Sequence, residues 1–223
     1  MMARAAPARA VPALAACGLA LAACVLTATP SPKPPCPESA PTANAAQVIL
    51  EGAELAEVVT NKGTFTLELY PDAAPVATAN FVALAHCGFY DGISFHRVLA
   101  GFVIQAGDPQ TKANRGDFAG IGTGGPGYGF EIEPPADELT YDPYVVSMAN
   151  DEVANGSQFF IDLVDLDDQL DRAYTILGKV IEGTSVVDAI GLVPVGSPRG
   201  VPLDPVIIES ITIRATPAAS PSP

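Results

Sequence analysis

Positive charge is scarce in this chain. Its 11 Lys and Arg stand against 25 Asp and Glu, for a net charge of −14. Nucleic-acid binding rests on clustered basic residues that neutralise phosphates, so no nucleic-acid partner is expected. The acidity reads as solubility. Trp is absent, and His occurs only at His86 and His96. One His without a ligand cluster is a poor zinc site, so no metal is expected. The segment GIGTGG at 120–125 fits G-x-G-x-x-G, yet Pro126-Gly127 follows where a helix should start, and no βαβ unit surrounds it. No Gly-Lys-Ser/Thr follows either, which excludes a P-loop. These glycines read as a loop with unusual backbone angles, and no cofactor is expected. There is no internal repeat.

Long apolar runs are also missing. Val11 to Ala23 is about half the length that a membrane span needs. With Arg4 and Arg9 before it, residues 1–23 read as a secretory signal peptide. The run ends in Leu21-Ala22-Ala23-Cys24, which resembles the lipobox of bacterial lipoproteins. That resemblance implies cleavage before Cys24, a diacylglycerol on its thiol, and a lipid-anchored place in the cell envelope outside the cytoplasmic membrane. An ordinary cleaved signal, and hence secretion, and a retained anchor are the other readings. Residues 24–52 follow as a Pro-rich tether without apolar periodicity, extended at about 3.1 Å per residue. Cys36 lies in the tether and Cys87 at the expected end of a helix. Outside the cytosol such a pair is compatible with a disulfide, and spacing leaves two free thiols equally open.

One domain is expected over 53–216, followed by a Pro/Ser/Ala tail at 217–223. AEVVT (56–60) and TFTLELY (64–70) flank Asn61-Lys62-Gly63 as a hairpin. Pro75 opens a helix that Cys87-Gly88 stops, with Val76, Ala79, Phe81, Val82 and Leu84 as its apolar stripe. YGFEIE, YVVSMAN, QFFIDLV and ILGKVIEG read as further strands. TSVVDAIGLV (184–193) is helical, and PVIIESITIRAT (205–216) is a last strand. Many short strands with two helices fit a mainly β fold, a closed barrel without exposed edges.

The central stretch is GFYDGISFHRVLAGFVIQAGDP at 88–109: strand, a tight Ala100-Gly101 corner, strand. Arg97 sits there among Phe95, Val98, Leu99, Phe102, Val103 and Ile104. A guanidinium in so apolar a run must reach water or line a site, because burying it unpaired is costly. Such a cation, with Gln105 following, suits a neutral apolar ligand carrying a hydrogen-bond acceptor.

This stretch resembles the signature of the cyclophilin family of peptidyl-prolyl cis-trans isomerases. The motifs that carry the resemblance are YDG (90–92), FHR (95–97), GFVIQAGDP (101–109), GTGGPGYGFEIE (122–133), VSMAN (146–150), NGSQFFI (155–161) and ILGKV (176–180). It covers most of 55–214. The family fold implies an eight-stranded antiparallel β-barrel with a helix over each open end. It also implies isomerisation of X-Pro bonds in proline-containing peptides and unfolded proteins. A monomer is the expectation.

The barrier to that reaction is lost amide resonance, about 18–20 kcal/mol. No nucleophile or metal is required. A dry pocket for the ring, handles on the backbone and a donor that favours the twisted amide suffice. Carried over from the motifs, Arg97 is the donor, and Gln105 is grouped with it as catalytic, binding substrate backbone. Phe102, Val103, Phe160 and Leu170 line the proline pocket. Gln158, Ala149 and Asn150 meet the peptide, and Tyr174 offers a hydroxyl and a ring edge. His96 reads as structural. Several positions depart from the family pattern: Val103 stands where Met is usual, Tyr174 where many members have His, and Gln169 where cyclosporin-sensitive members have Trp. Weak cyclosporin binding follows. A non-catalytic module gripping proline segments of an envelope partner is the competing reading, although a pure binder would not need Arg97.

Overall fold

The computed structural model describes residues 32–113, 120–151 and 154–215. The signal segment, Cys24 and the tail at 217–223 lie outside the described residues, as do residues 24–31 of the tether. Helix α1 (Ala43–Ile49) comes first, then strands β1 (Leu55–Thr60) and β2 (Gly63–Leu69), helix α2 (Pro75–His86), and strands β3 (Ser94–Phe95), β4 (Arg97–Leu99) and β5 (Val103–Ala106). The one-turn helix α3 (Gln110–Ala113) precedes β6 (Phe130–Glu131), β7 (Val145–Asn150), β8 (Ala154–Asp162) and β9 (Ile176–Glu182). Helix α4 (Thr184–Gly191) and strand β10 (Val206–Arg214) complete the order.

Nine strands pair in the sequence β3-β10-β1-β2-β9-β7-β8-β5-β4, and β6 pairs with β8 off that path. Every pairing is antiparallel. The two ends of the path, β3 and β4, are neighbours in the chain, separated only by His96. The His96 amide still donates to the Gln105 carbonyl at 3.0 Å. One broken strand therefore pairs with β10 at its start and β5 at its end. Counted as staves, the expected eight are present, and the barrel is nearly closed.

Period-two alternation divides the barrel wall. Ile104 and Ala106 of β5, Phe159 and Ile161 of β8, and Val146 and Met148 of β7 belong to the interior cluster. Val103, Phe160 and Val145, one residue out of step with them, form a second apolar cluster on the outer face. Helices α2 and α4 close opposite ends. Asn80 of α2 donates its amide to the Gly156 carbonyl near the start of β8, at 2.9 Å. Gly191 of α4 lies against Leu163, just past the end of β8. Phe81, Leu84, Val187 and Ile190 are buried as the two plugs. Helix α2 begins at Pro75, and its first free amides are satisfied from a distance: Glu133 accepts from Val76 and Ala77 at 3.1 and 2.8 Å.

The stretch read as a tether differs from that reading in its second half. Residues 43–49 are helical, with Thr42 Oγ1 accepting from the Ala45 amide at 3.3 Å. Alanine-rich sequence favours helix, and Ala46 is fully buried while Ile49 and Leu50 pack against the interior cluster. The open question of the two thiols is answered as well. Cys36 is disulfide-bonded to Cys87 across a Cα separation of 5.0 Å. Lys33 pairs with Asp91 beside it. The chain is thus fastened to the C-terminal end of α2 before the first strand begins.

A bond closing 51 residues of sequence separation should matter for stability. Reduction, or Cys36→Ala, is expected to lower the unfolding free energy by about 2–4 kcal/mol. Urea titrations with and without dithiothreitol would read this. Identical midpoints for the parent under both conditions would contradict it.

Candidate active site

The outer-face cluster supplies a floor, and β4 and β5 supply the polar edge. Arg97 and Gln105 are direct partners across the β4–β5 pair, where Gly101 takes a left-handed φ of 70° at the corner. Arg97 Nη1 donates to Gln105 Oε1 at 3.2 Å. Gln105 Nε2 donates to Gln158 Oε1 at 3.0 Å. Gln158 Nε2 donates to the carbonyls of Gly122 and Gly124 at 3.0 and 2.8 Å. That loop is held by Asp108, whose carboxylate accepts from the Gly122 and Gly124 amides at 2.6 and 3.3 Å. A Cβ on Gly124 would fall 2.1 Å from Asp108 Oδ1, so a larger residue there would displace the carboxylate that holds the loop. One relay therefore runs from the guanidinium to a loop on the neighbouring rim.

Beside the guanidinium lies a cavity of about 220 Å³. This suits a single residue rather than a whole ligand, since ligand pockets commonly exceed about 300 Å³. Phe102, Val103, Phe160 and Leu170 are its apolar wall, while Arg97, Gln105, Ala149, Asn150 and Tyr174 complete it. Gln158 lines an adjoining groove that shares Gln105, Ala149 and Asn150. All ten residues singled out from the sequence are brought together at one place. The Arg97 guanidinium lies 5.7 Å from the Phe102 ring centroid, and burial pushes its pKa down from the ordinary value. Tyr174 meets Phe160 edge-on, with centroids 5.3 Å apart. Gln169 takes no part in the cavity wall; its side-chain amide turns to the Asp165 carbonyl at 3.4 Å.

Sequence reasoning missed what holds the far wall. Tyr141 is fully buried, and its hydroxyl donates to the Tyr174 carbonyl at 2.9 Å while accepting from the Tyr174 amide at 3.2 Å. Asn150 Nδ2 donates to the Ala173 carbonyl at 2.9 Å. Both fix the segment carrying Leu170 and Tyr174. Asp162 was missed too. It lies opposite Val103 in the β5–β8 pair and is fully buried, and neither carboxyl oxygen has a hydrogen-bond partner among the described residues. Burial pushes its pKa up to about 8, so it is a neutral acid at neutral pH. His96 is buried as well, and burial lowers its pKa to about 4 against smaller opposing effects of Asp108 and the Ser94 carbonyl.

Fold and site define a class: a small antiparallel barrel that carries, on its outer wall, a residue-sized apolar pocket edged by one fixed cation. The comparisons narrow this. Residues 55–213 match the family model for cyclophilin type peptidyl-prolyl cis-trans isomerase/CLD. The chain is 44% identical over 176 residues to peptidyl-prolyl cis-trans isomerase A of Mycobacterium tuberculosis, covering 69% of this chain and 88% of that one. It is also 44% identical over 138 residues to a peptidyl-prolyl cis-trans isomerase of Helicobacter pylori, covering 60% and 78%. Among solved structures it resembles a cyclophilin type isomerase of Cryptosporidium parvum, with a TM-score of 0.64, 35% identity, and coverage of 74% of this chain and 99% of the other. The same protein has been solved in the presence of the dipeptide ala-pro. This chain belongs to the cyclophilin-type peptidyl-prolyl cis-trans isomerases.

Two buried groups generate an expected pH dependence. His96 has an ordinary pKa of 6.5 and a folded one of about 4, so stability rises with pH across that window. Asp162 moves from 3.8 to about 8 and binds its proton in the native state, so stability falls with pH across its window. The slopes cancel up to pH 6.5 or so. Beyond that Asp162 acts alone, and a loss on the order of 2 kcal/mol should accumulate by about pH 8. In Asp162→Asn the loss should vanish and a rise below pH 6.5 should emerge. Urea midpoints measured from pH 4 to 9 test this, and a variant curve superimposable on the parent's would refute it.

Proposed function

We propose that this isomerase is a lipid-anchored folding catalyst of the cell envelope, acting as a monomer on X-Pro bonds of exported proteins. The observation that carries the catalytic part is Arg97, held by Gln105 at the lip of the apolar cavity. In this reading the proline ring sits against Phe102, Val103, Phe160 and Leu170. Gln158, Ala149 and Asn150 meet the peptide backbone. As the C–N bond twists, the prolyl nitrogen regains a localised lone pair, and the guanidinium favours that state over the planar amide. A fixed donor in a water-poor site is worth more than one in bulk water.

The envelope location draws support from the signal-like segment ending in Cys24 and from the disulfide, since such bonds persist outside the reducing cytosol. With Cys36 fastened to Cys87, a lipid at Cys24 would be joined to the domain through the 12 residues of sequence up to Cys36. If extended, that span would reach about 37 Å and would keep the domain close to the membrane.

Isomerisation of a chromogenic X-Pro peptide by the full chain and by Arg97→Ala tests the mechanism. Loss of the donor should cost on the order of a hundredfold or more in kcat/KM. Equal rates would mean that Arg97 is not the donor. A parent that binds the peptide without accelerating it would favour the binding-module reading.

Cyclosporin affinity is a separate check. With Gln169 turned away from the cavity, the affinity should be weak, and a nanomolar Kd by titration would overturn that expectation.

A further inference from the structure

Arg97 also borders a second, larger cavity of about 700 Å³, which shares Gln105 with the first. Its opposite wall is the loop at 196–203. That loop is a built element. Gly196 donates to the Val201 carbonyl at 2.8 Å, and Leu203 to the Pro194 carbonyl at 2.9 Å. Val98 of β4 donates to the Gly200 carbonyl at 2.7 Å, which ties the loop to the strand that carries Arg97.

The charge of this cavity runs against that of the chain. Its lining among the described residues includes Arg97 and Arg199 and no Asp or Glu. Among the described residues, the ion pairs engage Lys33, Arg172, Lys179 and Arg214, and leave both of these arginines out. In a protein with 25 acidic and 11 basic residues, two unneutralised guanidiniums on one cavity are unusual. His96 adds a third group. It is 6% exposed and lines the cavity, and among the described residues neither ring nitrogen meets the geometry of a hydrogen bond. The Ser94 backbone is near enough to the ring to oppose the lowering of its pKa. Nε2 lies toward Gly122, which lines the same cavity. A buried, unsatisfied imidazole is costly unless something polar reaches it. Leu99, Pro202 and Leu203 give the remaining wall an apolar character, with Leu203 at 66% exposure.

We propose that this cavity is a second substrate subsite, which takes the peptide segment on one side of the X-Pro bond and selects an acidic side chain between Arg97 and Arg199. It rests on the isomerase reading and deepens it. Substrates would be proline segments with an Asp or Glu within about three residues of the ring, the reach of a short extended segment. Net protein charge repels acidic peptides in general, so a preference for Glu confined to a few positions marks a local site.

The test is a set of fluorescent peptides built on a central Ala-Pro, with Glu, Gln or Lys placed in turn at each flanking position. Kd is read by anisotropy on the full chain in mild detergent. On one side of the proline, Glu should bind about twofold to fivefold tighter than Lys at low salt, the range of exposed ion pairs. The preference should shrink as salt rises. Arg199→Gln should abolish it and Arg199→Glu should invert it. Lys equal to or better than Glu at every position would overturn the proposal, as would a preference that both Arg199 variants retain. Turnover of the Gln peptide by the parent is recorded in parallel. Its absence would count against catalysis, while the ratio of Kd values would still decide the subsite.

Discussion

A half-buried guanidinium on an apolar wall has to be held, and everything about this site follows from how Arg97 is held. Its anchor is Gln105, directly across the β4–β5 pair, and the anchor of Gln105 is Gln158 on β8. Gln158 is fixed by two carbonyls of the glycine loop, which is fixed in turn by Asp108. Gln105 and Gln158 each have both donor and acceptor capacity, so together they pass orientation from a donor-only guanidinium to a loop held by an acceptor-only carboxylate. An apolar residue at Gln105 would free Arg97 to swing into water, and the cation would then lose the low-dielectric setting that gives it force.

The relay needs the strand register that places these side chains on one face. In the barrel wall a shift of one residue would send Arg97, Val103, Gln105 and Phe160 inward, and Ile104 and Phe159 outward. The interior cluster prevents that slip. Filling the barrel with Phe65, Phe95, Phe159 and Ile161 therefore holds the outer face in place as well as stabilising the fold. Stability and function use alternate residues of the same strands.

Much of this was legible in the residues. The Asn61-Lys62 hairpin, the helix opening at Pro75 and the Ala100-Gly101 corner follow from local turn and helix chemistry, and stand where expected. Eight of the ten candidate site residues lie in the ordered motifs, while Leu170 and Tyr174 lie between the last two of them; none was suggested by periodicity. Helix α1 was hidden because its apolar stripe is only Ala46, Ile49 and Leu50; it is held by packing against α2. Tyr141 was hidden because its partners are 30 and 33 residues away. Asp162 reads within QFFIDLV as the polar end of a strand, and only burial on the outer face makes it a neutral acid. Arg199 reads as an ordinary loop cation until the loop is seen to face Arg97.

The outer position of the site also explains its roof. A pocket on the outside of a barrel has a floor but no lid, and its apolar floor would otherwise be open to water. Here two chain segments, around Tyr141 and from Leu166 to Tyr174, fold over the β7–β8 face and bury Val145, Phe160 and Ile176 beneath them. The Tyr141 hydroxyl locks one segment to the other by bonding both the amide and the carbonyl of Tyr174. A single donor–acceptor group thereby satisfies two backbone groups and sets the position of the pocket's far wall. Removing that hydroxyl would leave the aromatic ring to pack, yet would strand both Tyr174 backbone groups. The resulting loss falls on the placement of Leu170 and Tyr174, and so on the grip around the ring, more than on the barrel itself.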